Sequence, residues 1–115
     1  MSMTSRKPGE GKRHAWVWRI REEDLEEYIR MHLNPWPEII AAHRKAGIRD
    51  YSIFCQGNLC FYVYECDDPE AANAYLNDDP DCQRWNAITS KMVEGSFDFS
   101  QSNAIDFMDE IFYMD

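Results

Sequence analysis

Two prolines separated by a single tryptophan, Pro35-Trp36-Pro37, constrain the layout of this chain more tightly than any other feature. Proline has no N–H to give a helix interior, and it pushes the residue before it, Asn34, out of helical geometry. The helix that runs into this corner must therefore stop there. Upstream, Leu25, Tyr28, Ile29, His32 and Trp36 recur at helical spacing. Downstream, Pro37 suits the first position of a second helix, which Gly47 ends. Tyr28 and His32 are four residues apart, so both project from one face of the first helix, one turn from the corner. Spacing alone leaves two readings of this pair: core residues with satisfied polar ends, or a phenol and an imidazole held still for chemistry. Trp36, at the corner itself, is a further wall for a pocket there.

The rest of the chain supplies strands. His14–Ile20 is a short apolar run with Trp16, Trp18 and Ile20 on one face, followed by the acids Glu22, Glu23 and Asp24 that favour a helix start. After the second helix, Arg49–Cys55 and Leu59–Glu65 are rich in β-branched and aromatic residues, with Gln56-Gly57-Asn58 as the turn between them. Asp68 then caps a helix with Pro69 in its first turn, running to about Asn77. Asp79-Pro80 restarts it with Trp85, Ile88 and Met92 on one face and Gly95 as the stop. Residues 96–108 carry enough apolar bulk to pack against something, a second subunit included. Asp109–Met114 reads as a last strand.

The order β-α-β-β-α-β is the ferredoxin-like α+β motif, with a four-stranded antiparallel sheet. Large residues on both faces of the strands call for burial on both sides, which predicts a homodimer closing into a dimeric α/β barrel. At 115 residues the chain makes one domain, read as a disordered leader over 1–13 and a folded unit over 14–115. The net charge of −9 disfavours nucleic-acid and anionic-membrane surfaces, which need basic faces. No apolar run of spanning length and no secretory h-region is present, so the expectation is a cytoplasmic protein with its four cysteines reduced and no C-x-x-C metal motif.

Several segments, in order, resemble the L-rhamnose mutarotase family: Glu27-Tyr28-x-x-x-His32, Trp36-Pro37-Glu38, Ala46-Gly47-Ile48-Arg49-Asp50-Tyr51-Ser52-Ile53-Phe54, Gln83-Arg84-Trp85 and Asp109-Glu110-Ile111-Phe112-Tyr113. The resemblance implies a ferredoxin-like dimer that interconverts the anomers of a 6-deoxy pyranose without metal or cofactor. It places the proton donor on His32 and the sugar contacts on Tyr28, Tyr51, Trp85 and Asn86. The chemistry suits such residues, because opening a hemiacetal asks only for general acid–base catalysis by a group that titrates near neutrality. Two positions depart from the family's pattern. Asn86 stands where an aromatic is usual, and His43, where an aliphatic is usual, reads as a partly buried structural histidine. His14 begins the first strand and has no role in this reading. Other readings stay open: a mutarotase for another aldose such as L-fucose, a ferredoxin-like dimer oxidising small aromatic ligands, or a non-catalytic binding module.

Overall fold

The computed structural model describes residues 11–95 and 105–114. Strand β1 (Arg13–Arg19) is followed by a 3-10 turn (Glu22–Asp24) and helix α1 (Leu25–Leu33). Helix α2 (Pro37–Lys45) leads into the hairpin β2 (Arg49–Gln56) and β3 (Leu59–Glu65). Helices α3 (Pro69–Asp78) and α4 (Pro80–Thr89) come next, and a 3-10 turn (Ser90–Met92) extends α4. The three strands form an antiparallel sheet in the order β1-β3-β2, so the fold is α+β.

Local chemistry sets the boundaries. Asn34, ahead of Pro35, leaves helical geometry at φ −130°, and Pro37 opens α2 where a missing N–H costs nothing. Gly47 closes α2 at φ +90°: its N–H donates to the Arg44 carbonyl and that of Ile48 to His43, both at 3.0 Å. This is the Schellman arrangement, which uses a left-handed residue to satisfy the last carbonyls. Asp68 and Asp79 cap α3 and α4 by accepting from the N–H groups of Ala71 and Cys82, at 3.1 and 3.0 Å. At the hairpin, Gly57 has φ +60° and Asn58 does not, the II′ pattern that matches strand twist.

Alternation then decides what is buried. Trp16 lies opposite Tyr62, Trp18 opposite Cys60 and His14 opposite Tyr64 on one face of the β1–β3 ladder. The helices cover that face: Trp16, Cys60, Tyr62 and Tyr64 are buried in one core with Tyr28 of α1 and Ala72 of α3. A second cluster, Met31, Ile39, Ala42, Cys82 and Trp85, joins α1, α2 and α4. All four cysteines are free, and burial together with neighbouring Cys55 pushes the Cys60 thiol up to about 12.

The structure departs from these expectations at three places. Order begins before residue 14: Arg13 is the first residue of β1 and the Lys12 carbonyl accepts from Cys66 N–H at 2.8 Å. Residues 1–10 of the expected leader lie outside the described residues. On α4 the inward face is Cys82, Trp85 and Thr89, while Ile88 is exposed. Of 96–108, residues 96–104 lie outside the described residues; Ile105 and Phe107 pack against this chain's own core. Asp109–Met114 is not a strand here. The Met108 N–H donates to the Ala15 carbonyl at 2.8 Å and so ties the segment 105–114 to the edge of β1.

Candidate active site

Helices α1 to α4 and the covered face of the sheet enclose an open cavity of about 860 Å³. Its walls include Tyr28, His32, Tyr51, Trp85 and Asn86, so every residue expected to act on a sugar lines one space. Trp36 does not line it. Its ring stands against Trp85 at 5.0 Å, nearly perpendicular, and so supports that indole from behind.

His32 is the most constrained of these groups. Its Nδ1 lies 2.7 Å from the backbone carbonyl of Tyr28, one turn earlier. A carbonyl only accepts, so Nδ1 carries the proton and Nε2 is left with its lone pair. The imidazole also packs on Tyr28 at 4.3 Å and meets Trp85 edge-on at 5.4 Å. Burial lowers its pKa below the ordinary histidine value, and the bond to Tyr28 only partly offsets this. At neutral pH the ring is therefore a neutral base whose tautomer is set by the helix that carries it.

Tyr28 is held by the sheet. Its hydroxyl lies 2.6 Å from that of Tyr62, and burial pushes the phenol well above its usual range. Tyr28 is thus a hydrogen-bonding group, and a poor proton carrier near neutrality. Tyr51 reaches the cavity because of two irregularities in the chain. The Schellman turn at Gly47 aims β2 back along the helices, and the register of β2 on β3 slips between Arg49 and Ser52. That bulge, with Asp50 at φ +51°, re-aims the start of the strand. Tyr51 sits among Trp16, His43 and Tyr64 at ring distances of 6.0, 5.8 and 5.4 Å. Tyr51 keeps 37% of its surface open, and burial raises its pKa well above the phenol norm.

Trp85 is buried on α4, and the Thr89 hydroxyl donates to its carbonyl at 3.1 Å. Asn86, the next residue, is half-buried in the wall. Sequence reasoning passed over Trp16, Trp18, Tyr62 and Tyr64 as cavity walls. Period-two alternation marks them as inward-facing, but not that the helices leave a gap above them. It also read His43 as structural, whereas the ring lines the cavity beside Tyr51. Among the described residues, no group of three or more His, Cys, Asp or Glu side chains is placed to hold a metal ion, and no helix is long and apolar enough to cross a membrane.

Fold and cavity together define a small α+β protein with an aromatic pocket lined by four tyrosines and two histidines. A family model described as L-rhamnose mutarotase matches residues 13–114. The L-rhamnose mutarotase of Bacillus subtilis (strain 168) is 35% identical over 107 residues, covering 90% of this chain and 99% of that one. That of Shigella flexneri serotype 5b (strain 8401) is 31% identical over 104 residues, covering 89% and 97%. The crystal structure of an L-rhamnose mutarotase from Formosa agariphila shares the fold, with a TM-score of 0.67 at 20% identity, covering 90% of this chain and 98% of that one. The chain belongs to the L-rhamnose mutarotase family.

Proposed function

We propose that the protein interconverts the α and β anomers of L-rhamnose by acid–base-catalysed ring opening and reclosure, with His32 as the proton carrier. The observation that carries this reading is the His32 Nδ1 to Tyr28 carbonyl bond of 2.7 Å, which leaves Nε2 as the free, basic nitrogen. Nε2 exchanges a proton with the hemiacetal oxygens while the ring opens; rotation about C1–C2 and reclosure on the other carbonyl face invert the anomeric centre. Tyr28 and Tyr51 hydrogen-bond sugar hydroxyls, Trp85 covers an apolar face of the deoxysugar, and the Asn86 amide offers donors and an acceptor to its edge. Saturation transfer between the anomeric proton signals, run over a panel of sugars, tests this. Catalysed exchange is expected with L-rhamnose and slower exchange with L-fucose. A folded protein that accelerates neither would overturn the activity, and a preference for L-fucose would move the substrate.

Two copies of the chain form the working unit, each completing a ferredoxin-like, four-stranded arrangement at the β1 edge where residues 105–114 lie. The support is the bare outer face of the sheet, which presents Val17, Phe54, Leu59 and Phe61, with Phe54 62% exposed. Ile111 and Phe112 add 88% and 72% exposed side chains nearby in sequence to that edge segment. A contiguous apolar sheet face is a liability unless another surface covers it. Light scattering at micromolar concentration should give the mass of two chains, and Phe54→Glu combined with Phe61→Glu should give the mass of one. A monomeric native protein would refute this assembly. The free thiols fit a reducing, cytoplasmic setting.

A further inference from the structure

We infer that His43 is a second proton-carrying group of this site, so that ring opening is performed by a pair of imidazoles, one on α1 and one on α2. The inference rests on the mutarotase reading above and supplies the partner that His32 lacks in it.

The two histidines are built alike. His43 Nδ1 lies 2.7 Å from the carbonyl of Ile39, one turn earlier, as His32 Nδ1 lies 2.7 Å from that of Tyr28. In both rings the carbonyl fixes the proton on Nδ1 and leaves Nε2 as the basic nitrogen. Both rings are half-buried and both line the same cavity. Each ring packs on a cavity phenol: His32 on Tyr28 at 4.3 Å, and His43 on Tyr51 at 5.8 Å. A histidine placed only to fill a helix face has no need to line a cavity that a second, identically tied imidazole also lines.

The other titratable groups of the cavity are poor candidates. Burial pushes the phenols of Tyr28, Tyr51, Tyr62 and Tyr64 upward, and the Cys82 thiol up to about 12. Glu70 and Asp78 are exposed at the α3 side. The imidazoles remain. Around His43 the titratable neighbours are Tyr51 from β2 and Asp79 at the start of α4; burial lowers its pKa below the ordinary histidine value, and the Ile39 carbonyl and the Asp79 carboxylate only partly offset this.

The step balances within the pair. The neutral imidazole takes the proton from the anomeric hydroxyl through Nε2, and the O–H electron pair becomes the second C1–O1 bond. The C1–O5 bond breaks with its pair on O5, which receives a proton from Nε2–H of the imidazolium. The pair still holds one proton, now on the other ring, and reclosure runs the same transfers backwards. The proton the pair holds is taken from solvent, and because burial lowers both imidazoles the singly protonated pair is favoured on the acid side of neutrality.

The test is exchange of L-rhamnose anomers by wild type, His43→Leu and His43→Gln, followed across pH with melting temperatures on the same samples. Both variants should lose at least tenfold in kcat with KM little changed. The bell-shaped rate profile of a two-imidazole site should lose one limb. A folded variant with wild-type rate and profile would overturn the pair, as would a rate loss that tracks melting temperature with the profile intact. A second measurement does not depend on the variants folding. Methyl α-L-rhamnoside, which cannot open, should shift the ring nitrogen resonances of both His32 and His43 in the labelled wild type. An unperturbed His43 ring would overturn the inference. Wild-type protein inert toward L-rhamnose would instead remove the activity itself.

Discussion

Replacing His32 by alanine should lower anomer exchange by roughly 10²–10⁴-fold while leaving the protein folded. The position is half-buried and near the end of α1, where alanine is a good helix former, so the helix tolerates the change. What disappears is the imidazole whose tautomer the Tyr28 carbonyl fixes at 2.7 Å. Tyr28→Phe is the informative contrast. It keeps the ring against His32 but leaves the Tyr62 hydroxyl, 2.6 Å away in the native pair, without its buried partner. That orphan costs about 1–3 kcal/mol of stability, so Tyr28→Phe should lower the melting temperature more clearly than it lowers the rate. Exchange and melting measured on the same samples separate the two roles. Wild-type exchange in a folded His32→Ala protein would remove this histidine from the mechanism.

Much of this was legible in the sequence, for reasons that are local. The Pro35-Trp36-Pro37 corner, the caps Asp68 and Asp79 and the Gly57 turn all act through backbone geometry within four residues, and each stands where expected. Residue spacing also brought Tyr28 and His32 to one face. Three things were not local. The inward face of α4 turns on Thr89 rather than Ile88, a choice made by how α4 packs and not by its own pattern. Residues 109–114 carry apolar bulk suited to a strand, but a strand needs a ladder, and these residues form none among the described residues. His43 looked structural because a helix face shows what is turned inward, not whether the interior at that point is filled. The cavity is a property of four helices and a sheet together, and no single window contains it.

Trp16→Ala should cost about 3–5 kcal/mol, which is the usual range for deleting a buried indole and a large share of a typical domain's ~5–15 kcal/mol. Trp16 is 2% exposed and lies at the centre of the covered sheet face. It stacks on its cross-strand partner Tyr62 at 5.0 Å with an interplanar angle of 4°. Trp18, Tyr64 and Phe107 meet it edge-on at 5.7, 5.5 and 5.7 Å, so one side chain joins β1, β3 and the segment after residue 104. Removing it opens a void that these rings cannot all move to fill, and it also strips a wall from the cavity. Its indole nitrogen, however, is buried with no hydrogen-bond partner among the described residues. Trp16→Phe therefore removes an unsatisfied donor along with some contact area, and should cost well under half of the alanine change. Urea unfolding of both variants measures the difference. If Trp16→Ala shifts the unfolding free energy by less than about 1 kcal/mol, the covered face is not organised around this ring. If the phenylalanine variant proves the worse of the two, the indole nitrogen has a stabilising partner and is not an unsatisfied donor.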